Sequence, residues 1–173
     1  TRIGSSAASD VYKRQACISD QLVAHRGEQI HFETEICLLI RGSAVAGVGV
    51  GLDLTKRATQ KRLKDAGLPW ERSKAFEGSA VFSHFVETRE PLTDLELELY
   101  VDGELRQRGG PRQMLYKPHT ILEELHSFLP LEDSDIVMTG TPSGVGPVEK
   151  GALFEARLLN ANDELVSASW RAV

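Results

Sequence analysis

The chain has 173 residues, a net charge of −5 and 41% hydrophobic content, which suits one domain large enough to bury a sizeable core. No apolar run approaches the roughly 18 residues of a membrane helix, and the acidic balance argues against nucleic acid as a partner. Cys17 and Cys37 are its two cysteines and make no Cys-x-x-Cys pair, so a disulfide framework or structural zinc site is not expected. The expectation is a cytoplasmic globular protein with neither a nucleic-acid nor a membrane partner.

Residues 1–15 (TRIGSSAASDVYKRQ) have no helical or strand periodicity and no apolar run that would serve as a signal peptide. From Ser5 onward they resemble a conceptual translation of the transposase adapter used in sequencing libraries; a natural disordered tail is the alternative. On the adapter reading, residues 1–15 are non-native and the domain occupies 16–173, with no Met start before Ala16.

Residues 30–40 (IHFETEICLLI) alternate at first and then turn continuously apolar, as a strand entering a core does. Residues 45–54 (VAGVGVGLDL) form a second strand, with glycines that allow close backbone approach. Residues 55–66 are polar and helix-forming, with Thr55 placed to cap the helix and Gly67 and Pro69 to end it. Residues 95–101 alternate cleanly and meet Asp102-Gly103, a strong hairpin signal, before returning through Leu105. Residues 119–129 read as a short amphipathic helix with Ile121, Leu122, Leu125 and Phe128 on its apolar side. Residues 135–139 are a strand that leads into the Gly-Pro-rich turn 140–147. Residues 153–159 and 165–170 pair around Asn162-Asp163. Many strands and two helices define an α+β domain dominated by β-structure.

Glu33 and Glu35 lie two apart on a strand, so both carboxylates project from one face. The apolar run that follows suggests that this face points inward, where two carboxylates repel unless a cation sits between them. Glu96 and Glu98 share the spacing, but alternation with leucine marks them as the solvated face of a half-buried strand. Asp53, at a strand end just before a helix, reads either as a third carboxylate for the same ion or as a helix cap. Three carboxylates without His or Cys favour a hard ion, Mg²⁺ or Mn²⁺. Lys74 sits in a mixed loop where a lone lysine is ordinarily exposed. The turn GTPSGVG lacks the ending of a phosphate loop. On its residues alone it reads first as a tight structural turn, the alternative being a rigid turn whose N–H groups and Thr141 hydroxyl bind a carboxylate.

Taken in order, HFETEI, GLDLTKRATQ, GLPWERSKAF, VDGELRQ and TGTPSGVGP resemble the fumarylacetoacetate hydrolase superfamily. The nearest likeness is to its small single-domain acylpyruvate hydrolases and oxaloacetate decarboxylases. The resemblance implies the family's β-rich mixed-sheet catalytic domain, metal ligands at Glu33, Glu35 and Asp53, and substrate ligands at Arg57, Gln60 and Thr141. It implies an active-site lysine at Lys74. It further implies Mg²⁺ (or Mn²⁺), a small 2-oxo or dicarbonyl acid as substrate, cleavage through a metal-stabilised enolate, and a homodimer. Ala58 stands where the family commonly has Asp, and Gly151-Ala152 where it has Gly-Asp. None of His25, His31, His84, His119 or His126 matches the family's N-terminal lid, a His and Glu pair that would precede Ala16. His31, near the carboxylates, is assigned a supporting role. Isomerases and hydratases or decarboxylases of aromatic catabolism in the same superfamily stay open as alternatives, as does a Ca²⁺-binding β-module without catalysis.

Overall fold

The computed structural model describes residues 16–17, 21–22, 27–88, 91–161 and 163–173. The readings of 1–15, His25 and Asn162 lie outside those residues. In chain order the elements are β1 (Ala16–Cys17), β2 (Gln21–Leu22), β3 (Ile30–Arg41), β4 (Ala44–Lys56), α1 (Arg57–Asp65), β5 (Ala80–Phe82), β6 (Leu95–Val101), β7 (Glu104–Gly109), α2 (Pro118–Phe128), β8 (Ile136–Met138), β9 (Gly146–Pro147), β10 (Leu153–Asn160) and β11 (Asp163–Ala172). One sheet runs β1-β5-β4-β3-β8, with β9 also on β3, and the other runs β2-β11-β10-β6-β7. β1 joins β5 and β2 joins β11 in parallel, while the long pairs are antiparallel, so both sheets are mixed. This is the β-rich α+β fold that the sequence predicts.

Strand periodicity decides which residues make the core. Phe32, Ile36 and Leu38 of β3 and Val50, Leu52 and Leu54 of β4 face the second sheet, where Leu97, Leu99, Phe154 and Trp170 meet them. Phe32 packs edge-on against Phe154 with ring centroids 5.2 Å apart. Each such side chain contributes about 1.5–3 kcal/mol by leaving water, so this layer holds the sheets together. The Asp102-Gly103 turn has positive φ at both residues, 51° and 82°, which matches the twist of the β6–β7 hairpin.

Three expectations need correction. Glu33 and Glu35 do not point into the core between the sheets. They occupy the opposite face of β3 with Cys37, and the segments that roof this face bury them. Thr55 does not cap α1: β4 runs on through Lys56, and the fully buried Thr55 hydroxyl has no hydrogen-bond partner. Phe128 is 63% exposed, whereas Ile121 and Leu125 are buried, because the last turn of α2 runs past the edge of the core.

The cap of α1 comes from elsewhere in the chain. The first turn of α1 carries no acidic residue, and Glu28 supplies one: its carboxylate accepts the Thr59 N–H at 3.1 Å and the Thr59 hydroxyl at 2.9 Å. A Glu28→Ala variant is expected to lose about 1 kcal/mol, the usual worth of a helix N-cap. Thermal unfolding should show this as a drop in Tm of about 2–4 °C.

The second edge of β3 is interrupted. β9 pairs with it at His31 and Phe32, and β8 at Cys37 to Leu39, which leaves residues 33–36 without a strand on that side. The chain from Thr139 onward fills the gap. Thr139 gives both its N–H (3.1 Å) and its hydroxyl (2.9 Å) to the Ile36 carbonyl. Gly144 lets the loop nest against β7: its φ is +104°, and a Cβ there would lie 1.9 Å from the Arg106 carbonyl oxygen.

Candidate metal centre

The cross-strand register of β3 and β4 builds the site. Glu33 stands opposite Asp53 and Glu35 opposite Gly51, so the period of two brings three carboxylates onto one face. One oxygen from each of Glu33, Glu35 and Asp53 lies within 4.8 Å of the others. Among the described residues this is the single cluster of His, Cys, Asp and Glu groups able to hold a metal ion.

Lys74 enters the cluster from the segment after α1. It is 7% exposed, and its ammonium donates to Glu33 Oε2 at 2.7 Å and Asp53 Oδ2 at 2.6 Å. Burial alone would lower the Lys74 pKa, but Asp53 and Glu33 outweigh it and hold the ammonium above its ordinary value. Arg57, at the start of α1, reaches Glu33 Oε1 at 3.3 Å and Gln60 Oε1 at 3.0 Å. Gln60 is buried, and the Arg57 side chain is 41% exposed, which puts its guanidinium at the mouth of the site. Thr141 is on the loop that fills the β3 gap. The Gly140 N–H beside it donates to Glu35 Oε2 at 2.6 Å, so the turn does bind a carboxylate, one of the protein's own.

His31 lies two residues before Glu33 on the same face. Burial and the Arg57 charge lower its pKa, against the pull of Glu33. The structure therefore joins Glu33, Glu35, Asp53, Lys74, Arg57 and Gln60 around one face, and it places Thr141 on the adjoining loop, where its hydroxyl meets Gln107. It adds Gln107, buried on β7 and bonded to Thr141, which residue-by-residue reading passed over. Its one available signal was its place in VDGELRQ.

Charge sets what this arrangement can hold. Three carboxyl groups face two cations, Lys74 and Arg57, so one carboxyl has no counter-charge among these groups. Burial and the neighbouring Asp53 push the Glu35 pKa up to about 8, against the Gly140 N–H and Lys74. Burial raises Asp53 to about 6, with Lys74 opposing and Glu33 assisting. An all-oxygen donor set whose surplus carboxyl gives up its proton to an incoming cation fits a hard divalent ion. The titration has a measurable sign. A carboxyl with a raised folded-state pKa stabilises the fold while protonated, and that stability disappears as pH climbs through the raised value. Chelator-treated protein should therefore lose Tm from about pH 5 to 8. Divalent-ion affinity should rise over the same window as protons are displaced.

A two-sheet fold with a carboxylate cluster on the outer face of one sheet defines a class of domain, and comparison with known proteins gives its family. Residues 9–169 match the fumarylacetoacetate (FAA) hydrolase C-terminal family, and the chain belongs to it. It is 39% identical over 136 residues to the oxaloacetate tautomerase YcgM of Escherichia coli, covering 70% of this chain and 62% of that protein. It is 34% identical over 166 residues to a mitochondrial oxaloacetate tautomerase of Saccharomyces cerevisiae, covering 84% and 64%. The chain thus spans less than two thirds of these relatives' length. The fold matches the crystal structure of a Pseudomonas aeruginosa fumarylpyruvate hydrolase in complex with Mn²⁺ and pyruvate, with a TM-score of 0.79 and 31% identity, over 92% of this chain and 73% of that one. It also matches yeast ynq8, a fumarylacetoacetate hydrolase family protein, with a TM-score of 0.80 and 32% identity over 88% and 72%. No helix among the described residues is long and apolar enough to cross a membrane.

Proposed function

We propose that this chain carries a divalent-metal-dependent enzyme activity that forms the enolate of a small 2-oxo acid, with oxaloacetate the first substrate to assay. The observation that carries it is the convergence of Glu33, Glu35 and Asp53 within 4.8 Å beside a buried, charged Lys74. In this reading the three carboxylates hold Mg²⁺ or Mn²⁺. An ion held there would supply Lewis-acid chemistry for a 2-oxo acid substrate.

The chain's own groups do the rest. Lys74 stays protonated because two carboxylates hold its charge, so it acts as a fixed positive centre where negative charge develops. Arg57 offers a guanidinium at the mouth to a second carboxylate, and Gln60 fixes its orientation through the 3.0 Å bond. Thr141 presents a hydroxyl from the loop beside Glu35.

Tautomerisation and decarboxylation of an oxaloacetate-like acid both pass through this enolate without an attacking water. The names of the tautomerase relatives support the first. A relative named as the mitochondrial oxaloacetate decarboxylase of Dictyostelium discoideum, 30% identical, supports the second. Hydrolysis of an acylpyruvate is the other reading, favoured by the likeness to the fumarylpyruvate hydrolase; it requires a base to activate water. The same proposal takes the chain as a cytoplasmic homodimer, which sedimentation of the purified protein and localisation of a tagged copy would check.

The test is the purified chain with Mg²⁺ or Mn²⁺, offered oxaloacetate and an acylpyruvate in parallel, before and after chelation. Metal-dependent loss of the enol absorbance or release of CO₂ is expected, together with oxalate binding that requires the metal. Metal-dependent folding without oxalate binding would mark a structural ion-binding module instead.

A further inference from the structure

Gln107 is 1% exposed and is paired in the second sheet, yet its carboxamide bonds to the strand and loop that frame the candidate site. Its Oε1 accepts the Thr34 N–H at 3.0 Å, on the residue between Glu33 and Glu35. Its Nε2 donates to the Thr141 hydroxyl oxygen and to the Pro142 carbonyl, each at 2.9 Å. The Thr34 amide belongs to the interrupted edge of β3, where no neighbouring strand takes it.

The orientation of this carboxamide is fixed at both ends. A backbone N–H only donates, so the atom facing Thr34 must be the oxygen. A backbone carbonyl only accepts, so the atom facing Pro142 must be the NH₂. The same NH₂ reaches Thr141, and an amide NH₂ has nothing to accept with. The Thr141 hydroxyl must therefore take that bond through its oxygen, which leaves its own proton to point elsewhere.

We propose that Gln107 is a positioning residue that fixes Thr141 as a hydrogen-bond donor toward the candidate site, and so selects ligands that present an acceptor, a carboxylate or oxo oxygen. This rests on the reading of Thr141 as a substrate ligand. It assigns Gln107 no contact with substrate. The residue acts through Thr141 and holds the loop to the strand that carries Glu33 and Glu35.

The test is a double-mutant cycle on the full chain, read as oxalate affinity at saturating Mg²⁺. Mg²⁺ binding without oxalate, together with Tm, serves as the control for an intact fold. Gln107→Glu keeps the shape and the bond from Thr34 but replaces the donor to Thr141 by an acceptor. It should weaken oxalate at least tenfold in the parent background and less than about threefold in a Thr141→Val background, where no hydroxyl remains to be oriented. A general electrostatic or folding defect would act in both backgrounds, so equal losses would overturn the proposal. The neutral Gln107→Met runs the same cycle without added charge and must show the same dependence on Thr141. It also decides the matter if Gln107→Glu does not fold. Unchanged oxalate affinity in both Gln107 variants would likewise overturn the assignment. Failure of the parent to bind oxalate with Mg²⁺ would overturn both this inference and the functional reading beneath it.

Discussion

Replacing Glu35 by glutamine is expected to cost at least about a hundredfold in divalent-ion affinity while leaving the fold as stable as the parent, or more so. The two effects share one cause. Glu35 is 4% exposed, and its pKa is raised to about 8 by burial and by Asp53. At neutral pH without a metal, its carboxyl is held mainly in the neutral form, which glutamine reproduces in shape and charge. The amide oxygen can still accept the Gly140 N–H that Glu35 takes at 2.6 Å. The amide cannot supply the anionic oxygen that a divalent ion draws on. Calorimetric titration with Mg²⁺ or Mn²⁺ should give little heat with Glu35→Gln. Its Tm should stay flatter than the parent's as pH rises toward 8. Undiminished metal affinity in this variant would remove Glu35 from the ligand set.

Lys74→Met should act in the opposite sense and unsettle the fold. Its ammonium is the near neighbour of two carboxylates, at 2.7 and 2.6 Å, and the side chain is almost wholly shielded from water. Removing one partner of a buried ion pair costs about 3–5 kcal/mol, because the charge left behind has no counterion. For a chain of this size that is a fall in Tm on the order of 10 °C. Asp53, whose pKa burial already raises to about 6, will take up a proton to escape the penalty, so the loss should deepen as pH rises. Added Mg²⁺ should recover more Tm in Lys74→Met than in the parent, since the ion replaces the missing charge. Activity at saturating Mg²⁺ should nonetheless fall at least about a hundredfold, as expected when a preorganised charge is lost from a site. An unchanged Tm in the chelated variant would show that Lys74 does not balance the carboxylates.

What the sequence made legible follows from how local each signal is. The period of two in HFETEI placed Glu33 and Glu35 on one face, and a β-rich α+β domain followed from alternation and from Asp102-Gly103, but its division into two sheets did not. Whether that face looked into the core was not local. Both faces of β3 are covered, one by the second sheet and the other by Lys74, Phe82 and the loop at Gly140. The residues of β3 alone do not distinguish these covers. Thr55 carries a cap-forming side chain, but β4 continues past it, and the helix borrows Glu28 from 31 positions away. A lone lysine in WERSKAF reads as exposed because the carboxylates that bury it are 41 and 21 residues earlier. Gln107 was the hardest to read, with partners 73 and 34 positions off on strands of the other sheet and a loop.

The interrupted edge of β3 also sets how this region breathes. Amides paired within the long β3–β4 ladder exchange with solvent only when the sheet opens, but the Thr34 N–H is covered by one side chain. Its exchange should follow the swinging of Gln107 and the loop at Thr141, at a rate independent of global unfolding. A single backbone hydrogen therefore reports the opening of the site, and slower exchange on adding a ligand would register its closure.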